Sequence, residues 1–202
     1  VIKKHSNKSK QTNAWLPFPN LGQDIVQLLN DAVAKRDQQL VNLIILDMYT
    51  GMRIEEACSL TIKHIHRDYI FVAESKNTAG IRKIPIHSTL AEPLELMVRE
   101  STDGFVISGL NSKNKYGIRS DPIGKRFGRL KSKRGFGPNH VFHSIRETFI
   151  TMLERKNVME STTADIVGHS KKTFTYRGYE GGTTMEDKKE AIEKLAYPLE
   201  NL

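Results

Sequence analysis

Residues 142–155 read Phe142-His143-Ser144-Ile145-Arg146-Glu147-Thr148-Phe149-Ile150-Thr151-Met152-Leu153-Glu154-Arg155. Ile145, Phe149 and Met152 recur at four- and three-residue steps, which predicts a helix burying those side chains. His143 and Arg146 stand at i and i+3, so an imidazole and a guanidinium project from one face of it. Taken singly, each is an ordinary helix residue. Order and spacing along the rest of the chain give them weight.

Upstream, Thr50-Gly51-Met52-Arg53-Ile54-Glu55-Glu56 puts an arginine at a helix start, with Glu56 three residues on and on the same face. Lys76 lies between two strand-like runs, Tyr69-Ile70-Phe71-Val72-Ala73 and the alternating Arg82-Lys83-Ile84-Pro85-Ile86, joined by the turn residues Asn77-Thr78-Ala79-Gly80. Downstream, Gly168 stops a short helix from Ser161 to Val167, and His169 follows it. Tyr176 and Tyr179 come within ten residues of that histidine.

The remaining pattern is helical. Ile25, Leu28, Leu29 and Ala32 form one apolar stripe, and Leu40, Leu43, Ile44, Asp47 and Met48 another. Ser88 is expected to cap a helix reaching about Glu100, with Leu90, Leu94 and Met97 inward. Asp121 is expected to cap another, with Pro122 at its first position. Met185 to Leu195 forms the last, with Ala191, Ile192 and Leu195 apolar. Gly104 to Ile107 reads as a short strand. The fold class is therefore α+β, mostly helical, with a small antiparallel sheet.

The chain has 202 residues, of which 38% are hydrophobic, enough for a core. No apolar run approaches the roughly 20 residues of a membrane helix. Val1-Ile2-Lys3-Lys4 lacks a signal peptide's apolar region, and the lone Cys58 excludes a disulfide framework or a cysteine-rich zinc module. These features predict a cytoplasmic protein. Thirty-one basic against 23 acidic residues leave a net charge of +8, concentrated in residues 1–10 and 111–134. Such clustering points to a nucleic acid, with Lys125, Arg126 and Arg129 as candidate contacts to its backbone.

Taken in order, the boxes at 50–56, Lys76 with 82–85, His143 with Arg146, Gly168-His169 and Tyr179-Glu180-Gly181-Gly182 resemble the tyrosine recombinases, also called the phage integrase family. The resemblance covers about residues 20–200. Ser144 and Glu147 depart from it, since many members carry an acid and a second histidine there. The resemblance implies residues 1–20 as a basic linker or arm and 21–202 as the catalytic domain. The resemblance further implies that a helical core-binding domain usually precedes such a domain, so this chain is expected to be a catalytic domain cut from a longer protein.

The resemblance implies DNA cleavage and rejoining through a 3′-phosphotyrosine, in integration or excision of a mobile element. Arg53 and Arg146 would fork onto the phosphate oxygens, His143 act as acid or base, and His169 donate to the phosphate. Lys76 would protonate the leaving oxygen, Tyr179 attack, and Glu56 orient the cations. No third ligand is spaced to make a zinc site with the histidines, and neither metal nor ATP is expected as cofactor. The expected partner is double-stranded DNA, bound as a tetramer by a protein monomeric in solution, with accessory DNA-bending proteins. The alternatives are a type IB topoisomerase-like DNA relaxation and a non-catalytic DNA-binding module.

Overall fold

In the computed structural model, residues 15–73, 80–111, 117–169 and 183–199 are described. Lys76, Tyr176, Tyr179 and the arm before Trp15 lie outside the described residues. Helix α2 (Gln38–Thr50) is the centre of the fold, with Leu40, Leu43, Ile44, Leu46, Met48 and Tyr49 all buried. Burial on so much of its circumference follows from its neighbours. It packs against α1 (Gly22–Ala34), α3 (Ile54–Cys58), α4 (Ser88–Arg99), α5 (Ser120–Lys133) and α6 (His143–Arg155). Gly51 ends α2 in the left-handed region at φ 56°, where a side chain is strained.

Strands β1 (Tyr69–Val72) and β2 (Arg82–Pro85) pair antiparallel, with Ile70 opposite Ile84 and Val72 opposite Arg82. Helix α7 (Glu160–Val167) ends at Gly168, left-handed at φ 73°, and packs on α6 and β2. Helix α8 (Met185–Glu193) opens on a capping box between Thr184 and Asp187. Ala191, Ile192 and Leu195 are buried as α8 seats on β2 and α7 of the same chain. Tyr197 extends this docking by donating its hydroxyl to the Met48 carbonyl at 2.7 Å. The α+β class expected from the sequence is the one observed.

Several local expectations are corrected. His87, not Ser88, caps α4, accepting the Thr89 amide on Nδ1 at 3.0 Å. Ser88 instead gives its amide and hydroxyl to Glu193 of α8. Asp121 does not cap α5. The Glu55 carboxylate reaches over from α3 to accept the Arg119 and Ser120 amides at 3.1 and 2.9 Å. A carboxylate at a helix N-terminus satisfies orphan amides whichever element supplies it. Residues 104–107 make only an isolated bridge, Thr61 to Phe105. On α6, Leu153 is fully buried and Met152 only partly so. At the front, Phe18 is a core residue, its amide donating to Thr148 Oγ1 at 2.9 Å.

Candidate active site

Arg53 precedes the first turn of α3 because Gly51 ends α2 two residues earlier. Its amide and its Nη1 both donate to Glu56, at 3.0 and 2.7 Å. Its Nη2 reaches the Gly168 carbonyl at 3.3 Å, joining this turn to the end of α7. The Glu56 carboxylate also accepts from Arg82 Nη2 at 3.0 Å. Burial alone would push the Glu56 carboxyl up. The Arg82 hydrogen bond and charge, with the Arg53 amide and guanidinium, hold it below its ordinary value instead.

Arg82, given no role by the sequence, is a further residue of the site. It is buried, with Nε on the Ile166 carbonyl at 2.7 Å and Nη1 on the Gly80 carbonyl at 2.7 Å. One guanidinium thus ties together the hairpin, the Glu56 box and the end of α7. The available signal was strand alternation, which places Arg82 on the same inward face as Ile84.

Arg146 is fully buried, and its Nη1 donates to the Gly51 carbonyl at 2.6 Å. Its Nε and Nη2 have no hydrogen-bond partner among the described residues. Burial, then the nearby charges of Arg53 and Arg82, lower its pKa to about 10, so it stays cationic at neutral pH. Asp47, one helical turn before Gly51, is buried with both carboxylate oxygens unpartnered among the described residues. Its burial pushes the carboxyl well above its ordinary value, more than the Arg146 charge draws it down.

His143 opens α6, and its Nε2 lies 3.1 Å from Glu147 Oε1. His169 follows the Gly168 cap and is exposed, its amide donating to the Ala164 carbonyl at 3.0 Å. Partial desolvation, then the charges of Arg146 and Arg53, hold its pKa below the ordinary value, favouring neutral imidazole at pH 7. Arg53, Arg146, His143 and His169 are therefore brought together at one end of the helices. The resulting concentration of cationic and donor groups suits a phosphate.

The basic run is less open than its composition implied. Lys125 and Arg129 of α5 are exposed, Lys125 pairing with Asp121 at 2.8 Å. Arg126 is held in the fold by Asp37 at 3.0 Å and Gln39 at 2.7 Å. Arg119 lies over the Phe105 ring and donates Nε to the Cys58 carbonyl. Lys131 binds the Phe136 and Gly137 carbonyls, and Arg134 binds Asp31. Cys58 is core, burial pushing its thiol up to about 12.

A two-stranded sheet embedded in helices, with its charged boxes bonded to one another, is the architecture of an integrase-type catalytic core. The chain belongs to the phage integrase family, whose model matches residues 19–183. It is similar to tyrosine recombinase XerA of Pyrococcus furiosus, 28% identical over 190 residues covering 91% of this chain and 63% of that protein. The chain thus spans under two-thirds of that relative's length. Among solved structures, the lambda integrase catalytic core matches with a TM-score of 0.59 at 20% identity, covering 78% of this chain and 96% of that one. The Tn1549 transposon integrase in complex with circular intermediate DNA matches at 0.63 and 23% identity, covering 92% of this chain and 69% of that one.

Among the described residues, no helix is long and apolar enough to cross a membrane.

Proposed function

We propose that this chain is the catalytic domain of a site-specific DNA recombinase, cutting and rejoining duplex DNA through a 3′-phosphotyrosine. What supports this most is the convergence of Arg53 and Arg146, whose guanidiniums are pinned to the Gly168 and Gly51 carbonyls, with His169 within their field. Two forked donors beside a neutral imidazole suit the charge that builds on phosphoryl oxygens in the transition state.

In the proposed step the Tyr179 oxygen attacks phosphorus and its proton passes to His143. The bond from phosphorus to the 5′-oxygen breaks, and Lys76 protonates that oxygen. Arg53, Arg146 and His169 hold the non-bridging oxygens, while Glu56 holds Arg53. Bond energy is kept in the phosphotyrosine, so the step as written needs neither ATP nor a metal. A lambda integrase tetramer bound to a Holliday junction shares this fold. We extend that assembly to this chain as a tetramer on DNA and a monomer in solution, acting in the cytoplasm with accessory DNA-bending proteins.

The test is a set of nicked suicide duplexes cut from DNA flanking the gene, run on a denaturing gel. The expected result is a covalent protein–DNA band that Tyr179→Phe abolishes and Tyr176→Phe retains. DNA binding without a band from the wild-type chain would make it a binding module.

A further inference from the structure

Helix α6 presents a carboxylate to the candidate proton acceptor. Glu147 lies one turn after His143, and its Oε1 is 3.1 Å from His143 Nε2. The two side chains are 31% and 29% exposed, so the contact is partly shielded from water. The Glu147 carboxyl is held below its ordinary value, first by the hydrogen bond from His143, then against burial by the charges of His143, Arg146 and His169. Those three are the groups that face it, two from α6 and one from the end of α7. An ionised carboxylate has only acceptor sites, so the shared proton belongs to Nε2.

We propose that Glu147 is a positioning residue: it fixes His143 as the Nε2–H tautomer and leaves the Nδ1 lone pair to receive the proton of the attacking phenol. The inference rests on the cleavage reaction proposed above. The proton leaves the tyrosine oxygen for Nδ1, and the phenolate forms the bond to phosphorus. The ring becomes an imidazolium whose Nε2–H remains on Glu147. The carboxylate thus does for this histidine what aspartate does in a serine hydrolase triad, holding tautomer and orientation without taking the proton. A purely structural i,i+4 pair would instead support the helix slightly and contribute nothing to the chemistry.

The test compares wild type, Glu147→Ala and Glu147→Gln in the full chain. Glutamine keeps the shape but adds an amide N–H, which can donate to Nε2 and hold the opposite tautomer. Two-bond nitrogen–proton spectra of the His143 ring, without DNA at mildly alkaline pH, should show Nε2 protonated in wild type, and a loss of that single tautomer in Glu147→Ala and Glu147→Gln. On a suicide duplex, Glu147→Ala and Glu147→Gln should both trap at least about tenfold more slowly at unchanged DNA affinity, since neither holds the Nε2–H tautomer. An unchanged tautomer in Glu147→Ala, or trapping within about twofold of wild type, overturns the proposal. If wild type forms no covalent band, the cleavage reading fails, and the ring spectra alone decide whether Glu147 fixes the tautomer.

Discussion

Arg146 and Gly51 are joined by a 2.6 Å hydrogen bond from Nη1 to the carbonyl oxygen, across 95 positions of sequence. The contact depends on close approach, because the Phe149 ring of the same helix packs directly against Gly51. A Cβ built on Gly51 would stand 2.6 Å from Phe149 Cδ1, at a backbone φ of +56°. The turn that delivers Arg53 and the helix that delivers Arg146 are thus set by one glycine.

Gly51→Ala should therefore lose stability by about 1–3 kcal/mol, from a left-handed alanine and an overpacked ring. It should also slow covalent trapping beyond what the unfolded fraction explains, since both arginines shift. Urea denaturation beside a single-turnover trapping assay checks this. Full stability in the variant would show that the backbone relaxes freely.

Arg82 carries a different consequence. Arg82→Met removes the donors to Glu56, Ile166 and Gly80 at once and takes a buried cation from beside the Glu56 carboxylate, which keeps only Arg53 of its two cationic partners. The expected cost is about 3–5 kcal/mol. Arg82→Lys should recover only part of it, because one ammonium cannot reproduce the three-way fork. Midpoints of urea unfolding for the three proteins measure the ranking.

The pH dependence follows from Asp47. Its native carboxyl keeps its proton above the ordinary carboxylate range, whereas the unfolded chain releases it. Above about pH 4 the native state then binds more protons than the unfolded one, so this group's contribution falls as pH rises, by up to about 1.4 kcal/mol per unit. Asp47→Asn should match wild type near pH 4 and exceed it increasingly as pH rises from there. Urea titrations at several pH values give the difference curve. A difference that is flat, or that narrows with pH, would place a charged Asp47 in the native state.

Much of this was legible before any coordinates. The His143–Arg146 face follows from helical period, and Gly51 and Gly168 are stops because both adopt positive φ. Caps were not legible where partners came from elsewhere: Glu55 reaches α5 from α3, and Glu193 reaches Ser88 from α8. Arg82 stands in the 82–85 box with no legible role, because its three acceptors converge only after folding. The basic run misled in the same way. Charge counting records sign but not partners, and Arg126 has two.

That distinction within α5 separates two kinds of variant. Lys125 and Arg129 are exposed and can reach a phosphate backbone without leaving the fold, whereas Arg126 bridges Asp37 and Gln39. Each phosphate neutralised contributes a slope of about −0.9 to log K against log salt. Lys125→Gln with Arg129→Gln should flatten that slope by up to about 1.8 while leaving the thermal midpoint nearly unchanged. Arg126→Gln should do the reverse, lowering the midpoint with little change of slope, because it removes the guanidinium that ties α5 to Asp37 and Gln39. Fluorescence anisotropy on one duplex across a salt series, with melting curves of the same preparations, reads both quantities. An unchanged slope in the double variant would move the DNA-facing surface off α5. A flattened slope in Arg126→Gln would mean that its contacts to Asp37 and Gln39 give way when DNA binds.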